Sequence, residues 1–337
     1  MLFASAQIYH RVWQLYVAHI FLFVIFIAEV SYTAARFHNP LYSDEMRVAE
    51  FLREPYEAIV NALVLRFQPT FLDILPLYIV LLGAFPIAVL ALARSPWLAL
   101  IPSAALYAAT QAFGFGVHGY PTGHLWFFNP FAWQFLFIIG AACGFQRVVG
   151  GSVLPGARWP FVAACAIVAA AAIVKLSWTV SVFDPALPAL LIDQLWPMAA
   201  DKTNLSPLRL INFLAIAIVV VRAIPVDSKL FGTRWAKPII RCGQHSLHVF
   251  CLSILLSALG HFLLAELHGG IALQVAVNLA GCSAMVGTAS LIAWYMNVNR
   301  AAEPAPIPAP RRSWRVLPAR ARAQPPSLAP ARRRATR

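Results

Sequence analysis

The chain has 337 residues, of which 60% are hydrophobic and 12% charged, with a mean hydropathy of +0.70 and a formal net charge of +13. That balance lies outside the range of soluble globular domains and excludes an ordinary water-soluble enzyme or binding module. The positive charge does not argue for nucleic acid, because it is concentrated in a Pro/Ala/Arg-rich tail with no aromatic-interleaved basic fold beside it.

The first apolar run, Val12 to Ala35, reads VWQLYVAHIFLFVIFIAEVSYTAA, and similar runs start near Ile74, Trp97, Trp126, Trp159, Leu208, Gln244 and Ile271. A bilayer core of about 30 Å needs roughly 20 apolar residues per helix, so each run is long enough to cross. The expected fold is therefore an all-α polytopic membrane protein, a bundle of about eight transmembrane helices over 1–299. A disordered basic tail over 300–337 follows. No cleavable signal pattern precedes Val12. The five cysteines are odd in number and form no CxxC pair, so the expectation is buried thiols without disulfide, metal or bound cofactor.

The first run carries Arg11, Gln14, His19 and Glu29 within a roughly 140° arc, at 100° per residue. Charges at mid-bilayer cost about 3 kcal/mol or more, so this stripe is expected to face the bundle interior. His19 is either a general base for an attacking hydroxyl or a neutral histidine bonded to a neighbouring helix. The stretch from Arg36 to Asp73 is too polar to span and reads as a charged helical segment. It leads into LRFQPTFLDILPLY, with Arg66, Gln68, Asp73 and Tyr78 at a membrane mouth.

The third run places Ser103, Tyr107, Thr110 and Gln111 at i, i+4, i+7 and i+8, either as glue between helices or as a polar path. His118 and His124 lack partners at metal spacing and read as loop residues. In the fourth run Asn129 and Trp133 lie one turn apart, with Gln134 alongside, and Gly140 and Gly144 allow close helix approach. The segment Phe183 to Pro207 reads as a short interfacial helix ending in DKTNLSPLRL, which brings Asp201, Lys202, Asn204 and Arg209. Carboxylates, amides and aromatics at a rim suit a carbohydrate, and they equally suit interfacial anchoring. The candidate sugar-binding set is Arg66, Asp73, Tyr78, Asn129, Trp133, Gln134, Lys202, Asn204 and Arg209.

The seventh run opens with Arg241, His245 and His248 at i, i+4 and i+7. With Arg11 these either hold the phosphates of an anionic donor such as coenzyme A or anchor the inner leaflet. After Asn299 come ten arginines and one glutamate, which lean on anionic lipid headgroups. By the positive-inside rule that tail is cytoplasmic. Alternation then puts the loop with Asp227, Lys229, Arg234, Lys237 and Arg241 inside, together with Arg94 and Arg147/Arg158. Both termini are expected in the cytoplasm. No phosphate loop, zinc-protease motif or dinucleotide fingerprint occurs.

The segments RVWQLYVAHIFLF, ARFHNP, LRFQPTFLDILPLYIVLL, WFFNPFAWQFLFIIGA, DKTNLSPLRLINFLA and CGQHSLHVFCLSILLS resemble, in order and spacing, the OpgC family. These are integral inner-membrane proteins of the acyltransferase-three superfamily. The likeness runs from about Arg11 to Trp294. It implies transfer of an acyl group, typically succinyl, from a cytoplasmic thioester (succinyl-CoA) to hydroxyls of periplasmic glucans. His19 is then the remaining acid/base candidate. Family members usually open with two further helices, the first bearing the histidine assigned to catalysis, and MLFASAQIYHRVWQLY starts after both. On that reading either the start lies upstream or the chain is an inactive relative. The alternative function is a transporter or flippase of a polar or acylated molecule, with Arg11, His19 and Glu29 as a charge relay. The chain shows no inverted repeat to support it.

Overall fold

The computed structural model describes residues 2–150, 158–183, 201–225, 228–268 and 270–302, without the side chains of 2–4, 177–183 and 300–302. All eight apolar runs are helical. The first is α1 (Leu2–Phe37), about 54 Å long at 1.5 Å per residue and so longer than the bilayer core is thick. It ends where His38 turns to φ 53 ahead of Asn39 and Pro40. Three short helices follow: α2 (Leu41–Glu45), α3 (Ala49–Arg53) and α4 (Pro55–Leu63). The charged segment expected to be helical is thus broken twice, by the left-handed Arg47 (φ 55) and at Glu54, before a proline at the start of α4.

The long helices continue with α5 (Ile74–Arg94), α6 (Pro96–Phe113), α7 (Pro130–Val148), α8 (Trp159–Phe183) and α9 (Pro207–Ala223). A single 3-10 turn, Lys229–Gly232, precedes α10 (Ala236–Gln244), α11 (Ser246–Glu266) and α12 (Ile271–Ala302). Proline at the first turn starts α4, α6, α7 and α9, where its missing N–H costs nothing. The fourth run begins near Trp126, but α7 begins four residues later, because the Asn129 side chain caps it by accepting from the Phe131 amide at 3.1 Å.

Six of these helices are long and apolar enough to cross a membrane: Ser5–Phe37, Ile74–Arg94, Pro130–Val148, Trp159–Leu176, Ser246–Glu266 and Ile271–Asn299. The other two runs are α6, whose polar stripe and internal Pro102 dilute its hydropathy, and α9, which has 17 residues. Among the described residues there is no strand, and the protein is a helical polytopic membrane protein. Many apolar side chains on the helices, Phe21, Ile87, Trp97 and Ile173 among them, are uncovered by protein, as a lipid-facing surface requires.

The core forms where α1 packs on α5 and α11. Leu15, Leu22, Phe26 and Val30 of α1 meet Leu75 and Ile79 of α5, and α11 contributes Ile254, Ala258 and Phe262. A smaller core around Tyr107, Ala132, Leu205 and Leu210 binds α6, α7 and α9. Met1–Trp294 forms one compact unit, and a second begins at Tyr295, of which 295–302 are described. The basic tail from 303, most of the segment expected as an interfacial helix (184–200) and Asp227 lie outside the described residues.

Candidate functional site

Three loops knit together at one end of the bundle. The amide of Asn129 bonds the Thr203 carbonyl at 3.0 Å, that of Tyr120 bonds the Arg66 carbonyl at 2.9 Å, and that of Thr70 bonds the Met46 carbonyl at 3.1 Å. The segments 38–73, 114–129 and 201–206 therefore share a face, the one to which alternation of the helices assigns them. α11 reaches the same end, where His261 Nε2 lies 2.9 Å from Glu45 Oε2 and the Tyr42 hydroxyl donates to Glu266.

Of the clefts that open on this face, two adjoin across the loops. One of about 550 Å³ is lined by Glu45, Arg47, Asp73 and Lys202, with Phe127 and Phe128 as its aromatic wall. The other, of about 180 Å³, takes in Asp44, Glu50, Arg66, Gln68, Tyr120 and His124. Arg47 and Phe127 line both, so the two make a continuous rim. Burial raises the Asp73 carboxyl above its ordinary value, and the backbone amide of Asp73 and the nearby Arg47 guanidinium oppose that rise only in part. Ionised groups of both signs beside flat rings can grip the hydroxyls and the faces of sugars.

Arg66, Asp73 and Lys202 of the expected sugar-binding set are brought to this rim. Tyr78, one turn into α5, is exposed and lines neither cleft. Asn129, Trp133 and Asn204 are brought together in a different way. Asn129, 2% exposed, donates to Phe115 O and to Asn204 Oδ1, and the Trp133 indole donates to Lys202 O at 3.0 Å. Asn204 is held in turn by Asp201. Gln134 accepts from the Ser103 hydroxyl and donates to the Ser103 carbonyl, binding α6 to α7. These side chains fasten the loops and helices that carry the rim. Arg209 lies in the first turn of α9, where its amide donates to the capping Ser206. Of the third-run stripe, Tyr107 donates to Leu205 O and Gln111 to Asn204 O, which is glue.

His19 is 0% exposed in the middle of α1, on the face that presents Leu15, Leu22 and Phe26 to the core. Neither ring nitrogen has a hydrogen-bond partner among the described residues. It lines neither cleft of the rim. The stripe on α1 is only partly interior. Arg11 and Glu29 are half-buried, while Gln14 is exposed and closes a local chain, accepting from Arg11 and meeting His10 at 3.1 Å.

At the opposite end, the expectation of one helix carrying Arg241, His245 and His248 is corrected. The backbone of His245 (φ −109, ψ 34) leaves helical geometry and separates α10 from α11, so the three do not form one i, i+4, i+7 row. They remain neighbours in the chain at the bundle end that also holds Arg94 and Arg147. Sequence reasoning missed Glu45, Arg47 and His261. Each was spaced for no motif, and only the fold brings α2 against α11.

Comparison with curated proteins and with solved structures finds no match to the chain. The sequence model of the family described as OpgC protein matches residues 1–297, nearly nine-tenths of the chain. With that match and a bundle whose loop end carries a polar, aromatic-walled rim, the chain belongs to the OpgC family.

Proposed function

We propose that this membrane protein transfers an acyl group, succinyl from succinyl-CoA, to hydroxyls of periplasmic glucans. The single observation that carries the reading, beyond family membership, is the continuous rim in which Arg47, Arg66, Asp73 and Lys202 stand beside Phe127 and Phe128. Glucan hydroxyls accept from the arginines and Lys202 and donate to Asp73, while a pyranose face lies on the phenylalanines. Asn129, Trp133, Gln134, Asn204 and Arg209 hold the loops beneath, and Tyr78 stands at the margin. Arg11 and the Arg241, His245 and His248 group meet the donor's phosphates at the other end, with the arginine-rich tail on anionic lipid there. In this reading the protein sits in a bacterial inner membrane with both termini cytoplasmic and the rim in the periplasm.

The test is expression in a strain that lacks its own glucan succinylation, followed by mass spectrometry of the extracted glucans. The expected result is a ladder of succinyl additions that is abolished by Arg47→Ala with Asp73→Ala. Unmodified glucans from cells in which the protein is present in the membrane contradict the reading.

A further inference from the structure

Between α9 and α11 the chain makes a hook at the end of the bundle away from the rim. Its first part is the 3-10 turn Lys229–Gly232, capped by Ser228, whose hydroxyl accepts from the Leu230 amide at 3.3 Å. Thr233 ties that turn to α10. Its hydroxyl donates to Leu230 O at 2.8 Å and accepts from the Ala236 amide at 3.3 Å. The hook is thus shaped by its own bonds, and no residue of the turn or of α10 is buried.

Its side chains are sorted by kind. At 100° per residue, Lys237, Arg241 and Gln244 of α10 fall within an arc of roughly 60°, and Ile239 stands almost opposite. Cys242, on the flank, meets the Met285 carbonyl of α12 at 4.0 Å, which fixes the side of α10 that faces the bundle. Ile239 is nevertheless 73% exposed and Trp235 74%, and Leu230 and Phe231 are exposed as well. The Arg234 guanidinium lies over the Trp235 ring, 4.9 Å from its centroid. The loop 224–245 contains the basic residues Lys229, Arg234, Lys237 and Arg241 and one acidic residue, Asp227. Among the described residues, Lys229, Arg234 and Lys237 form no ion pair.

The depth of the hook decides what surrounds it. Met285 stands about 21 Å along α12 from Ile271 at 1.5 Å per residue, and a hydrocarbon core is about 30 Å thick. α12 continues past Met285 within the apolar span Ile271–Asn299. The contact at Cys242 therefore holds α10 within the thickness of the bilayer, near one edge, and not out in water. Apolar side chains at that level are covered by acyl chains, and long basic side chains reach from it to the headgroups. An indole with a guanidinium over its ring suits the same boundary, greasy on one face and charged on the other. Three unpaired cations on one such segment select a headgroup of net negative charge.

We infer that the hook is an in-plane anchor that binds anionic phospholipid. Leu230, Phe231, Trp235 and Ile239 lie among the acyl chains, and Lys229, Arg234 and Lys237 meet the headgroup phosphates. This site goes beyond the acyl-transfer reading, and neither depends on the other.

The test uses the full chain in vesicles of phosphatidylcholine and phosphatidylglycerol in equal amounts. The photocrosslinker p-benzoylphenylalanine is placed at Ile239 and, separately, at Ile87, an uncovered side chain of α5. Lipid adducts are then counted by mass spectrometry. At Ile239, phosphatidylglycerol adducts are expected to exceed phosphatidylcholine adducts by at least about twofold, while Ile87 captures the two alike. Lys229→Gln with Arg234→Gln and Lys237→Gln is expected to remove the excess at Ile239 and leave capture at Ile87 unchanged. Lys229→Arg with Lys237→Arg is expected to keep it. Equal capture of the two lipids at Ile239 in the otherwise wild-type chain overturns the inference, because the contact then selects no charge. So does an excess that survives in the triple glutamine variant. An adduct to protein in place of lipid, within the chain or to a second copy, overturns it as well.

Discussion

Single side chains decide the rim. Asp73 stands half-buried at the head of α5, where burial raises its carboxyl by more than its own amide, the Arg47 guanidinium and the Ile74 amide lower it. Its folded pKa is raised, so the folded state binds the proton more tightly than the unfolded chain does. The associated stability is full below the ordinary carboxylate range and is lost as pH rises through the raised value. Asp73→Asn removes this dependence. Thermal melts of the detergent-solubilised protein are expected to show the wild type losing ground to the variant as pH climbs from acid to neutral. Parallel curves would show that the carboxyl pays no burial cost. The sequence gives Arg66, Asp73 and Lys202 away as rim residues because ionisable groups beside apolar runs stand out. It hides Glu45 and His261, which lie 216 residues apart and meet only through the packing of α2 on α11.

Helices show where legibility ends. Every apolar run is a helix, since length and hydropathy dictate that in lipid, but the boundaries are set by local chemistry that hydropathy does not see. Asn129 is the clearest case. Its pattern with Trp133 and Gln134 suggests a sugar-binding cluster, yet its side chain accepts from Phe131 N and donates to Phe115 O and Asn204 Oδ1. It caps α7 and fastens two loops with one amide. Asn129→Ala loses the cap and strands buried oxygens, at a cost of about 1–3 kcal/mol. The expected outcome is a clear drop in melting temperature with the helical circular dichroism at low temperature retained. An unchanged melting temperature would mean that the bonds are replaced by water. The break at His245 was equally hidden, because nothing in GQHSLH forbids a continuous helix. The fold ends one helix and begins another there through a single non-helical backbone pair.

Across the whole molecule, polar matter is sorted to two ends. One end gathers the loops 38–73, 114–129 and 201–206 into the rim, and the other holds Arg94, Arg147, Lys237 and Arg241. The proposed acyl transfer has its donor on one side of a membrane and its acceptor on the other, and basic loops alternating with the rest are what that proposal starts from. What the alternation does not reveal is the uncovered face of the hook before α11, because Leu230, Phe231, Trp235 and Ile239 are interleaved with cations and make no run of spanning length. The most direct measurement reconstitutes the protein into sealed vesicles, with labelled succinyl-CoA on one side and glucan on the other. The account expects label on the glucan when donor faces the basic end and acceptor faces the rim. Label that reaches glucan only when both substrates share one side would contradict it.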